Sequence, residues 1–150
     1  FIDRYIPTDR SQRDPGSALD AFNDFGELVR RFPDSKYTPD AHQRMLYLRG
    51  NLARNEVNIA RFYVKKGAYM AAVDRVNHVI QHYQRTSAVR DALVTMIDAY
   101  QRLGKDDLAA DAQRVLDLND KEGRFVSDEP APVEVTLSRK IWEYLVVDKN

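Results

Sequence analysis

An all-α array of antiparallel helix pairs, an α-solenoid of about five helices followed by a C-terminal tail, is predicted by three observations in this sequence. The first is an internal repeat. Tyr63, Gly67 and Ala72 recur in register as Tyr100, Gly104 and Ala109, and Val57/Val94 and Asp74/Asp111 keep the same offset. Apolar Val79 maps likewise onto apolar Leu116. The second is that apolar residues fall at the three-or-four spacing of a helix face in one segment after another. The third is that Pro33, Gly67 and Gly104 close those stripes, as helix-ending residues should. Stacked helix pairs usually offer a surface to another protein rather than a pocket to a small substrate, so the repeat points to binding.

Each element follows from local chemistry. Asp14 before Pro15 is a start signal, since aspartate can accept a first-turn N–H bond and proline tolerates the first helical position. A helix is expected from Pro15 to about Phe32, with Leu19, Phe22, Phe25, Leu28, Val29 and Phe32 on one face. The segment PDSKYTP makes a turn, and the Thr38 hydroxyl is expected to cap a helix entering Pro39. From Pro39 to Lys66 there is no proline, and Gly50 costs only about 1 kcal/mol against alanine, so a single long helix is expected. Asn51, Asn55 and Asn58 mark a polar stretch where a kink or break could fall. Gly67 ends this helix.

The next stripe runs from Ala68 to about Tyr83, carrying Ala72, Val73, Val76, Val79 and Ile80. Another begins near the capping residue Ser87 and carries Leu93, Met96, Ile97, Tyr100 and Leu103 before Gly104. Asp106 opens a fifth helix through Leu108, Ala109, Ala112, Val115, Leu116 and Leu118, fading at Asn119. The chain thus divides into residues 1–14, a truncated preceding repeat or loop; residues 15–119, the helical repeat module; and residues 120–150. The last begin as an extended linker with Gly123, Pro130 and Pro132. Leu137, Ile141, Tyr144 and Leu145 then fit a short amphipathic helix, although VEVTL also alternates like a strand. This segment, with the single Trp142, is expected to lie as a lid on the last helix face, because terminal repeats must cover an apolar surface.

Composition narrows the function classes. A hydrophobic share of 43%, 31% charged residues and six each of glycine and proline describe a chain that folds. Lys plus Arg and Asp plus Glu both total 23, so no net field draws the chain to nucleic acid or anionic membrane. The absence of cysteine removes disulfides, thiolate metal sites and thiol nucleophiles. No apolar run approaches the roughly 20 residues of a spanning helix. The opening at Phe1, without methionine, is expected of a fragment.

Asp74, His78 and His82 stand four residues apart on one helix and could in principle supply metal ligands to a hydrolase. Along a straight helix they span roughly 12 Å at about 1.5 Å per residue, so two could share an ion but not all three. A solvated polar face accounts for them as well, and neither an HExxH pair nor a nucleotide or acyl-transfer motif occurs. No metal, cofactor or catalytic activity is expected. Residues 9–14 carry balanced charges and read as a self-paired loop. Arg75, Lys66 and Lys65 lie on either side of the Gly67 corner and could form a basic edge. A guanidinium there can grip a partner carboxylate bidentately, or be solvated beside acids such as Asp74.

The Tyr, Gly, Ala triplet resembles the tetratricopeptide pattern, in which aromatic and small residues let paired helices pack closely. Glu56 and Leu93 stand where that pattern usually has tryptophan, and its closing proline is absent from both copies. More specific are DRSQRDP, RRFPDSKYTPDA, KKGAY and RVNHVIQHYQRTSAVRDAL, taken in that order. Over residues 1 to about 119 they resemble the C-terminal half of the BamD family, outer-membrane lipoproteins of the β-barrel assembly machinery. The resemblance implies a non-catalytic scaffold on the periplasmic face of the outer membrane that docks the POTRA domain of BamA and small accessory lipoproteins. It places Arg75 at the family's docking arginine and Lys66 where relatives can carry Arg. The alternative is a generic peptide-binding helical repeat.

Overall fold

Five helices in succession, α1 (Pro15–Arg31), α2 (Thr38–Lys65), α3 (Tyr69–His82), α4 (Ala88–Arg102) and α5 (Asp106–Lys121), build the computed structural model, which describes residues 15–125. Among the described residues there is no strand. Each helix packs on the next, and α2 also packs against α4, the neighbour relation of stacked helix pairs. The expected loop before Pro15, the start signal at Asp14 and the amphipathic segment with Trp142 lie outside the described residues.

Helix α2 is continuous through the asparagines that marked a break. Asn51 is nearly buried, and its Oδ1 accepts a 2.6 Å bond from Arg54, whose other arm donates to the Ser87 hydroxyl at 3.1 Å. The polar stretch is thus spent on tying α2 to the start of α4. The Thr38 cap is corrected: its hydroxyl donates instead to the Phe32 carbonyl at 2.7 Å, and the cap position, Tyr37, makes no side-chain bond. That carbonyl lies just past the end of α1 and also accepts the Ser35 N–H at 3.1 Å, so the threonine helps to close the preceding helix. Ser87 occupies the cap position of α4 but likewise makes no capping bond. Helix α5 runs two residues beyond Asn119, to Lys121.

The core is continuous from Ala53 in α2 to Leu116 in α5. Val57, Val76 and Val79 are its largest fully enclosed side chains, and Ala53, Ala60, Ala72, Ala92 and Ala99 have no exposure at all. Small residues at these crossings let the helix axes approach, which is why the repeat conserves alanine where a larger apolar side chain would be equally hydrophobic. Helix α1 contributes no buried residue.

The two repeat corners are built alike. The Gly67 N–H bonds the Val64 carbonyl at 3.0 Å and the Ala68 N–H bonds the Tyr63 carbonyl at 2.9 Å; Gly104 and Lys105 do the same to Gln101 and Tyr100 at 3.0 and 2.9 Å. Both glycines have positive φ, 78° and 66°, the left-handed residue of a Schellman motif. Gly123 closes α5 with the same device: its N–H bonds Asp120 and the Arg124 N–H bonds Asn119. A Cβ at Gly67 would meet nothing within 4 Å, so Gly67→Ala introduces backbone strain alone. A loss of about 1–2 kcal/mol is expected in denaturant melts, and an unchanged midpoint would show that the corner relaxes without cost.

Candidate functional site

The C-terminal half of α2 and the facing side of α3 carry a polar seam beside the first corner. Arg75, on α3, sends Nη1 to Glu56 Oε2 on α2 at 2.9 Å, with the guanidinium side chain 44% and the carboxylate 20% exposed. The hydrogen bond and charge of Glu56 hold Arg75 still more firmly protonated than a free guanidinium. The nearby Tyr63 phenol adds a smaller favourable influence on the Arg75 charge. Tyr83, at the end of α3, closes the seam: burial pushes its phenol above the ordinary value, the Glu56 charge adds to this, and Arg49 opposes it. Arg49 itself donates from Nη2 to the His82 carbonyl at 2.8 Å, satisfying an acceptor at the C-terminus of α3.

The three sequence-predicted cations do not share one edge. Lys66 lies at the helix end with Nζ 5.5 Å from the Phe62 ring centroid, and Phe62 is half exposed. Nine residues separate Glu56 from Lys65, which at about 100° per residue sets Lys65 half a turn around α2 from the Arg75 seam. Lys65 instead lines an open groove of about 470 Å³ with Arg61, Tyr69, Val94, Asp98 and Arg102. Ion pairs rim that groove, Arg61 to Asp91 at 2.9 Å and Arg102 to Asp98 at 2.7 Å.

The second copy of the repeat supplies an internal control. Its counterparts of Glu56 and Arg75 are Leu93 and Ala112, both buried, while Tyr100 keeps the place of Tyr63. The same backbone crossing is therefore made once with an ion pair and once with apolar groups, so packing does not require the charges. Glu56 was the residue that sequence reasoning passed over. It appeared only as a missing tryptophan, although it stands two turns before Tyr63 on the same helix face.

His78 and His82 are brought together, ring centroids 4.5 Å apart, with Tyr83 edge-on to His78 at 5.8 Å. Among the described residues no group of three or more His, Asp or Glu could hold a metal ion, and Asp74 does not complete one. No described helix is long and apolar enough to cross a membrane.

Comparison with known proteins gives consistent relatives. The YfiO family, described as outer membrane lipoprotein, matches residues 2–116. Outer membrane protein assembly factor BamD of Neisseria meningitidis serogroup A is 44% identical over 127 residues, covering 85% of this chain and 48% of the relative. The protein of the same name from Haemophilus influenzae is 40% identical over 134 residues, covering 89% of this chain and 49% of the relative. That from Vibrio cholerae is 37% identical over 119 residues, with coverage of 79% and 49%. The chain spans about half the length of the curated relatives it matches.

Proposed function

The chain belongs to the YfiO family of outer membrane lipoproteins, and from that premise we propose that its helical array is a non-catalytic scaffold for outer membrane protein assembly. In this reading it docks the periplasmic POTRA region of a BamA-like partner through Arg75, with Lys66 at the same corner and Lys65 on the neighbouring groove. Accessory lipoproteins of the machinery are its further partners, and its place is the periplasmic face of the outer membrane. The relatives' shared name, outer membrane protein assembly factor, supports the general role.

One observation carries the docking surface: the Glu56–Arg75 pair occupies a crossing that the second repeat closes with Leu93 and Ala112. An exposed ion pair contributes roughly 0–1 kcal/mol to stability, so folding gives little reason to place charge there. A guanidinium already oriented by Glu56 is preorganised to meet a second carboxylate, which lowers the entropy lost on binding. Calorimetric titration of this chain with a purified POTRA region tests the proposal. Binding that weakens as salt rises is expected, because part of the attraction is between exposed charges. Absence of heat and of co-elution at low salt would overturn it.

A further inference from the structure

His78 and His82 stand four residues apart on α3, so both project from one face of the helix. Both are exposed, and their ring centroids lie 4.5 Å apart with the planes at 40° to each other. Tyr83 sets its ring edge-on to His78 at 5.8 Å. Among the described residues neither imidazole gives a ring nitrogen to a hydrogen bond or an ion pair. Two nitrogen ligands are therefore held side by side with nothing yet bound to them.

Their spacing is the one a shared ion demands. Imidazole nitrogen binds a late first-row divalent ion at about 2.0–2.1 Å, which puts each ring centre about 3.2 Å from the metal. Two rings set about 90–110° apart around one ion then have centres about 4.5–5.2 Å apart, and this pair stands at the near end of that range. The arginines of the seam are already engaged. Arg75, three residues before His78, has its charge met by Glu56 at 2.9 Å, and Arg49 directs Nη2 to the backbone carbonyl of His82 at 2.8 Å. Exposed Asp74, four residues before His78, adds negative charge on the same face without completing a three-ligand set.

We propose that His78 and His82 chelate one late first-row divalent ion, Cu²⁺, Ni²⁺ or Zn²⁺, with water in the remaining positions. Imidazole donors select these ions over Mg²⁺ and Ca²⁺, which take oxygen ligands. With two protein ligands the ion is exchangeable, and its water positions are open to a donor from another molecule. This site does not depend on the docking reading of Arg75.

The sequence makes the test clean: His42, His78 and His82 are its only histidines, and it has no cysteine. His42, exposed near the start of α2, is a lone imidazole and serves as the internal control. The full chain, tag-free and stripped with a chelator, is expected to bind one Ni²⁺ or Zn²⁺ in a calorimetric titration, Cu²⁺ more tightly than either, and no Mg²⁺. His78→Ala and His82→Ala should each weaken binding by about 100-fold, because a single imidazole forfeits the second bond, whereas His42→Ala should leave it unchanged. In the unmodified protein, a small amount of paramagnetic Ni²⁺ should broaden the ring-proton resonances of two histidines together and leave the third sharp. Equal broadening of all three, as independent imidazoles would give, overturns the proposal without relying on any variant. So would unchanged affinity in both alanine variants of the pair, or a metal-dependent dimer, which would mean that the ligands are shared between two copies.

Discussion

Arg75→Glu is expected to weaken docking to a POTRA region by about 30-fold or more while leaving helical content unchanged. Removing one member of a docked charge pair costs about 2 kcal/mol or more, and every 1.4 kcal/mol is tenfold in affinity. The reversed charge would face Glu56, now 2.9 Å from the guanidinium, and would repel the same partner carboxylate that Arg75 attracts. Folding should be nearly indifferent, because the equivalent crossing in the second repeat stands without an ion pair. Arg75→Lys should fall between, since it keeps the charge and loses the fork that can hold Glu56 and a partner together. Titration calorimetry beside circular dichroism separates the outcomes. Unchanged affinity for Arg75→Glu sinks the docking assignment, and lost ellipticity would show that the seam is structural after all.

The largest effect on stability is expected from Ala72→Leu. Ala72 is wholly enclosed in the α2–α3 packing, with Val73 and Val76 beside it in the same cluster. Added methylenes have no cavity to enter and must force α3 off α2, at a cost of about 1–3 kcal/mol. For a module of this size each kcal/mol lowers the melting temperature by about 4–8 °C. Ala109→Leu, the repeat counterpart, should cost less: among the described helices α5 packs chiefly on α4 and can shift outward as a unit. Thermal melts of the two variants read this difference directly. Equal shifts would mean that the two crossings are held with the same rigidity, and no shift for Ala72→Leu would contradict close packing at the repeat alanine.

The parts of the fold legible in the sequence were those governed by near neighbours. Stripe spacing located all five helices to within about two residues, the usual uncertainty at helix ends. Gly67 and Gly104 marked corners because positive φ is a local demand that glycine meets without strain. The Thr38 hydroxyl was misjudged because two acceptable partners lie within reach, and only the approach of the α1 end to the α2 start selects the Phe32 carbonyl. The use of Asn51 in an unbroken α2 was not legible because its partner Arg54 also reaches the Ser87 hydroxyl, a contact between distant parts of the chain. The candidate site divides in the same way. Arg75 could be singled out from its position after the corner, whereas its pairing with Glu56 is set by how α2 and α3 are rotated against each other. Lys65 fell on another face for the same reason: adjacency to Lys66 in sequence is about 100° of separation on a helix.

The unbroken α2 carries a mechanical implication. Its 28 residues, about 42 Å of helix, serve as one rod shared by two neighbouring packing units. Near one end Gly26 of α1 approaches Met45, where even a Cβ on the glycine would come within 3.6 Å; at the other end lie Tyr63 and the seam with Arg75. α1 and the Glu56–Arg75 pair therefore rest on one unbroken helix, and Arg75 on α3 is referred to α1 through the single span of α2.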